Sequence, residues 1–316
     1  MTAPLDPVPR VLTLTLNPAL DEYITVPRLE PAVKLRCGQP FFHAGGGGIN
    51  VARALAALGE QVLAVFPSAG HLGRFLEELL ATEGTPYAAV PIAGETRQSH
   101  NVSETGTGRE YRFVLPGPPL RPPDQRACLA RLQACGSADF LVLSGSLPPG
   151  VEPGFVHEVA RTAECLGARL VLDTSGPALA EAKGAYVAKP SLRELRELLG
   201  EPLVMEQEQV LGARQLIARG TAEVIALSRG ERGLLLVTDD LAEEIPAMVG
   251  RVRGTVGAGD ALVAGLLFGL GRGWELVRAG RFAVACSTAT LGVDGTAMLD
   301  RDVVARLSPE LLEIDA

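Results

Sequence analysis

Gly254-Thr255-Val256-Gly257-Ala258-Gly259-Asp260-Ala261 is the stretch on which the reading of this chain turns. Three glycines fall within six residues, a carboxylate follows, and an apolar run then reaches Leu270. The pattern predicts a loop that opens directly into a buried helix. Backbone N–H groups in the first turn of a helix lack internal partners and carry partial positive charge, so they suit an anion. Glycine lets that backbone approach a ligand with no Cβ in the way. A carboxylate at the same place repels phosphate, which makes Asp260 a poor part of a passive anion receptor. It is well placed to take a proton from a hydroxyl that attacks phosphorus.

Working outward, β-like and helical patterns alternate. Residues 11–16 alternate as a strand, 62–66 read as a buried strand and 72–80 as a helix. From residue 124 the rhythm is regular. Helices at 124–134, 153–166 and 207–219 separate strands at 140–143, 169–172, a short one reaching Lys189, 223–227 and 234–237. Helices at 260–270, 274–290 and 302–313 close the chain. This alternation predicts an α/β fold, a mostly parallel sheet with helices on both faces. Open sheets of this kind bind ligands at the carboxyl ends of their strands. Asp21, Ser144, Asp173, Lys189 and Ser228 fall along that edge. Asp21 in Asn17-Pro18-Ala19-Leu20-Asp21 reads equally as a turn former.

Two excursions break the rhythm. Residues 22–43 are β-like and interrupted by prolines, and 96–102 and 109–114 form a hairpin pattern around a glycine-rich turn. Together, residues 22–43 and 95–116 are expected to form a small β-sheet lid on a single domain spanning 11–313, with 1–10 a disordered tail. Arg97 and Arg112 on the hairpin are either solvated strand arginines or a grip for a sugar phosphate, whose oxygens guanidinium binds bidentately.

A second glycine run, Ala44-Gly45-Gly46-Gly47-Gly48-Ile49-Asn50, leads into an amphipathic helix that stops at Gly59. It is read as a place of close ligand approach rather than as packing or a linker. No Gly-Lys-Ser/Thr follows and no GxGxxG is present, so neither a Walker A loop nor a dinucleotide site is supported.

Composition bounds the rest. The 316 residues carry a net charge of −8, with a pI near 5.2, which argues against a nucleic-acid surface. No run of 18 apolar residues suggests a membrane span. The five cysteines (37, 128, 135, 165 and 286) lack CxxC spacing and read as thiols of a reducing cytoplasm.

Gly45–Leu55, Ser144–Gly150, Asp173–Gly176, Lys189-Pro190 and Thr255–Ala261 together resemble the PfkB/ribokinase family of carbohydrate kinases, in order over roughly residues 11–300. Lys34-Leu35-Arg36-Cys37, the four-glycine run, Thr96-Arg97-Gln98 and Tyr111–Gly117 look most like its branch of minor, PfkB-type 6-phosphofructokinases. The 1-phosphofructokinases and tagatose-6-phosphate kinases usually show Gly-Lys-Gly in the first motif, and Gly47 stands where that lysine would be. The resemblance implies a ribokinase-like three-layer fold and ATP-dependent phosphorylation of fructose 6-phosphate. It implies Asp260 as base and Gly257, Ala258 and Gly259 as an anion hole. Asp21, Gly46, Gly47 and Asn50 would hold sugar hydroxyls, and Lys34, Arg97, Arg112 and Ser144 would line the site of the phosphorylated sugar. Lys189, Ser228 and Gly230 would meet ATP, with Thr255 and Ser287 nearby. Asp173 and Glu194 would organise Mg²⁺ through water. Relatives often use a monovalent cation such as K⁺ and commonly form homodimers through the lid. One departure stands out: Lys189-Pro190-Ser191-Leu192-Arg193-Glu194 carries serine where the family commonly has asparagine.

Overall fold

A computed structural model of the chain describes residues 10–250, 254, 256–292 and 298–308. Its centre is a short strand, β1 (Val11–Leu14), whose four residues are all buried. Two layers are implied by such a strand, because a parallel strand covered on both faces needs apolar residues throughout. β1 lies between the parallel strands β4 (Val62–Ser68) and β8 (Phe140–Ser144). Outside β4 runs β5 (Tyr87–Pro91), also parallel. Outside β8 come β9 (Arg169–Asp173), β10 (Ala185–Ala188) and β11 (Ala222–Ser228), all parallel. The antiparallel strands β12 (Leu234–Val237) and β13 (Ala242–Ile245) complete a nine-stranded sheet.

The period of two along each strand divides the core. Phe140 and Val142 of β8 join one apolar cluster, and Leu141 and Leu143 join the other. The first cluster is covered by α1 (Gly47–Ala57), α2 (Gly70–Glu83), α8 (Ala258–Gly271), α9 (Leu276–Leu291) and α10 (Arg301–Leu307). The second is covered by α3 (Pro122–Gln133), α4 (Phe155–Cys165), α5 (Gly176–Glu181), α6 (Leu192–Leu199) and α7 (Glu206–Ala218). Every residue of α8 from Ala261 to Leu270 is buried, as an all-round apolar helix requires. Two glycines let α9 come close enough to cover it. A Cβ at Gly265 would lie 2.8 Å from Ala283 Cα, and one at Gly269 would lie 2.8 Å from Ala279 Cβ.

A second sheet of four strands has the order β3 (Phe41–Gly45), β2 (Ala19–Val26), β6 (Arg97–Glu104), β7 (Glu110–Val114). β6 and β7 form the expected antiparallel hairpin. Tyr23 and Phe41 stack on one face, and Phe41, Phe113 and Val114 are exposed.

The α/β class and the small added sheet match expectation, with local differences. Asp21 does not follow the end of a main-sheet strand. It is the third residue of β2, in the small sheet, facing His43 and Ser99. Residues 27–40, read as β-like, contain no strand. β5 was not anticipated, because its alanines and terminal proline suit only an edge strand. The expected tail lies outside the described residues except for Arg10, and the last helix is described only to Leu307. The five cysteines are free thiols, and no described helix is long and apolar enough to cross a membrane.

Gly265→Val should test the α8–α9 contact. Its Cβ would already lie 2.8 Å from Ala283 Cα and 2.9 Å from Cys286 Sγ, so urea denaturation should show a loss of about 1–3 kcal/mol. Wild-type stability in this variant would mean that the two helices are not locked together there.

Candidate active site

The first turn of α8 sets the geometry. Gly257 is its N-cap at φ 81°, a left-handed conformation that glycine adopts freely. Ala261 N donates to Gly257 O, so the amides before it point out of the helix unpartnered by it. Asp260 lies in this turn, and its Oδ2 accepts a hydrogen bond from Asn50 Nδ2 at 2.9 Å. A helix N-terminus ordinarily lowers the pKa of an acid. Here burial pushes Asp260 up to about 7, and the Asp173 carboxylate pushes the same way, against Asn50, Lys189 and Arg112.

Asp173 ends β9, and Lys189 follows β10, so neighbouring strands place them side by side. Lys189 Nζ lies 2.9 Å from Asp173 Oδ1, and Ser144 Oγ, at the end of β8, donates to Asp173 Oδ2 at 3.4 Å. Burial opposes the charge on Lys189, yet the carboxylates of Asp173, Asp260 and Glu194 hold its pKa above the ordinary value. Burial also raises Asp173, against the pull of the same lysine. Glu194 accepts from Ser191 N at 2.8 Å while Ser191 Oγ accepts from Glu194 N at 3.2 Å, a reciprocal cap on α6.

The glycine run sits tightly against its neighbours. A Cβ on Gly45 would collide with the Asp21 carboxylate. One on Gly46 would meet Thr15 Cγ2 at 2.7 Å, and one on Gly48 would meet Thr15 Oγ1 at 2.6 Å. One on Gly47 would strike Ser144 Oγ and lie 2.9 Å from Gly145 N. The run also packs: it lets the N-terminus of α1 settle against the ends of β1 and β8. Thr15 Oγ1 accepts from Ile49 N at 2.9 Å and fastens the join. Gly46 and Gly47 still line the cavity above it.

That cavity, of about 400 Å³, is lined by Asn50, Ser144, Asp173, Lys189, Glu194, Gly257, Gly259 and Asp260, and across from them by Arg97, Arg112 and Val114 of the small sheet. Arg97 is partly committed elsewhere. Its Nε and Nη2 donate to Asn17 O at 3.2 and 3.0 Å, tying β6 to the β1–β2 turn. Arg112 is exposed at the rim. Asp21 is 1 % exposed, and neither carboxylate oxygen has a hydrogen-bond partner. Burial raises its pKa, against Arg112 and Arg97. Lys34 is exposed and is not among the cavity's residues.

A second cavity, of about 570 Å³, lies on the other side of Gly259. Ser228, Gly230 and Ser287 line it with Ala258, and Met248, Leu262 and Val284 supply an apolar wall. Thr255 lies outside the described residues. The two cavities share Gly259, so the first turn of α8 separates a polar, charged chamber from a more apolar one. Lys189 Nζ sits 3.4 Å from where a Cβ at 259 would be, which keeps an ammonium beside this wall.

Sequence reasoning missed two groups. Ser146, Thr174 and Ser175 line the first cavity because the loops after β8 and β9 curl over it, and such loop positions carry no periodic signal. Arg53 is buried behind Asn50, and a lone arginine on an apolar helix face was the available clue.

Comparison with known proteins places this geometry. A family model described as pfkB family carbohydrate kinase matches residues 15–301. The chain is 45% identical over 300 residues to the ATP-dependent 6-phosphofructokinase isozyme 2 of Mycobacterium tuberculosis, covering 94% of this chain and 88% of that one. It is 36% identical over 296 residues to a 1-phosphofructokinase of Haloferax volcanii, covering 93% and 95%. Among solved structures, phosphofructokinase-2 from Escherichia coli in complex with fructose-6-phosphate superposes with a TM-score of 0.89 at 34% identity, covering 96% and 99%. The same Escherichia coli protein is known in complex with potassium and in a tetrameric inhibited form.

The raised pKa of Asp260 has a consequence for stability. Between about pH 4 and about pH 7 the folded state holds a proton there that the unfolded chain has released, so stability falls as pH rises through that window. Asp260→Asn removes the effect. Its Tm should exceed that of the wild type at about pH 8, with the advantage shrinking towards about pH 4. A pH-independent difference in thermal denaturation would rule out a strained carboxylate.

Proposed function

The chain belongs to the pfkB family of carbohydrate kinases, ATP-dependent sugar kinases, and on that premise we propose that it transfers the γ-phosphoryl group of ATP to the 1-hydroxyl of fructose 6-phosphate. The observation that carries this reading is the position of Asp260: an acid pushed up to about 7, held by Asn50, on the wall shared by two cavities. A base is most effective when its pKa lies near the working pH.

The sugar phosphate occupies the polar cavity and ATP the more apolar one. Asp260 takes the proton of the 1-hydroxyl, the freed oxygen attacks the γ-phosphorus, and ADP departs with the electrons of the broken P–O bond. The first-turn amides of α8 and Lys189 receive the negative charge spread over the phosphoryl oxygens. Asp173 and Glu194 both line the polar cavity; Asp173 is engaged by Lys189 and Ser144, and one Glu194 oxygen by the α6 cap. This suits Mg²⁺, which binds through one or two carboxylates and keeps several waters. When bound with ATP, the ion supplies charge neutralisation on the phosphates.

Arg112 and Arg97 are assigned to the 6-phosphate, with Arg112 the freer of the two. Asp21, buried in β2 and not itself among the cavity's residues, is assigned to the sugar hydroxyls by the family resemblance. Fructose 1-phosphate is the alternative acceptor, given the likeness to a 1-phosphofructokinase. Gly47 disfavours it, since any side chain there would strike Ser144 and Gly145 and a lysine could not be seated without moving the loop after β8. The exposed apolar face of the small sheet, with Phe41 and Val114, is assigned to a homodimer contact, and use of K⁺ is proposed by likeness to the Escherichia coli protein, known in complex with potassium.

A coupled ADP-release assay tests the acceptor. Fructose 6-phosphate should give the highest kcat/KM among fructose 6-phosphate, fructose 1-phosphate, tagatose 6-phosphate and free fructose, and preference for any other would overturn the assignment. Asp260→Asn should lower kcat by about 10²–10⁴-fold while the fold persists. Arg112→Ala should raise KM for fructose 6-phosphate by about 10- to 100-fold and leave KM for ATP alone, because a charged hydrogen bond contributes about 1.5–3 kcal/mol.

A further inference from the structure

We infer that Arg53, buried on α1 away from the cavity, is a positioning residue that fixes which end of the Asn50 side chain faces Asp260. The inference rests on Asp260 acting as the base. Arg53 Nη1 donates to Asn50 Oδ1 at 3.3 Å, and Asn50 Nδ2 donates to Asp260 Oδ2 at 2.9 Å. Guanidinium has donors only and an ionised carboxylate has acceptors only. An asparagine between them therefore has one acceptable orientation. Reversed, its NH₂ would face a donor and its oxygen would face the carboxylate.

The guanidinium is itself immobilised. Its Nε and Nη2 donate to Glu83 Oε2 and Oε1 at 2.6 and 2.8 Å, and Nη1 also donates to Ala44 O at 3.0 Å. His43 Nδ1 lies 3.5 Å from Nη2. The Arg53 side chain is 3 % exposed. Both ends of this chain of contacts are anchored, Glu83 on α2 and Ala44 on β3, so the small sheet and α2 hold the amide beside the base. With Oδ2 occupied by Asn50, Asp260 has Oδ1 to present to the sugar hydroxyl. The other charged groups near Asp260 are Asp173, Lys189 and Arg112, and none of them acts on the Asn50 amide.

The experiment is a double-mutant cycle on the full chain, with Arg53→Met and Asn50→Leu, assayed with fructose 6-phosphate and ATP. Arg53→Met should lower kcat by about 10- to 100-fold, the worth of a hydrogen bond to a charged group, with KM for ATP unchanged. The double variant should be no slower than Asn50→Leu alone, because Arg53 acts through that amide. Arg53→Lys, which keeps the charge and one donor direction, should recover part of the loss. It also carries the same cycle if the methionine variant does not fold. Additive losses in the cycle, or a fall in kcat that tracks only a lowered Tm, would overturn the inference while leaving the base in place. Asp260→Asn assayed beside them separates the two ideas: if it retains wild-type turnover, the base itself is misassigned and this inference falls with it.

Discussion

A carboxylate half-hidden in the first turn of an apolar helix is the constraint on which the structure depends. Asp260 is carried by α8, which is buried on all sides from Ala261 onward. The charge there is opposed by burial and by Asp173, and it is supported by Asn50, Lys189 and Arg112. These supports come from α1, from the end of β10 and from β7 in the small sheet. No single element could supply them. The parallel sheet brings Ser144, Asp173 and Lys189 to one edge through its register, and the small sheet adds arginines from the opposite side.

The same arrangement explains the two chambers. Polar groups converge on the Asp260 side of the wall, while Leu262 and Val284 face the other side. Gly259 lies between them. A side chain at 259 would start 3.4 Å from the Lys189 ammonium and intrude on the place where the two chambers meet. Gly257 and Gly259 line the polar cavity together with Gly46 and Gly47, and the run at 45–48 in addition packs against Asp21, Thr15 and Ser144.

Much of this was legible in the sequence, for identifiable reasons. Long periodic segments such as α8 and α9 and the buried strands β1, β8 and β9 declare themselves by their apolar patterns. The site edge was legible because parallel strands end in polar residues there. What escaped was set by long-range contact. Asp21 pairs with residues 43 and 99, so nothing local distinguished a strand residue from a turn former. The packing role of Gly47 depends on Ser144 and Gly145, about a hundred residues away. Arg53 gains its meaning from Glu83, and the exposed position of Lys34 follows from an irregular segment that composition alone describes poorly.

Ser191 shows how a departure from a family pattern can be absorbed. Asparagine and serine are both good N-caps because each offers a side-chain oxygen to an unpaired amide. Here the Ser191 hydroxyl does so for Glu194 N, and Glu194 returns the bond to Ser191 N. The helix therefore loses nothing by the exchange. The consequence falls on Glu194 instead. One of its oxygens is bound to the backbone, and serine at 191 has no side-chain amide to offer. Asp173 is engaged at both oxygens, by Lys189 at Oδ1 and by Ser144 at Oδ2. Serine at 191 thus keeps the cap of α6 intact, and the two acids stay tied to protein groups where they line the polar cavity.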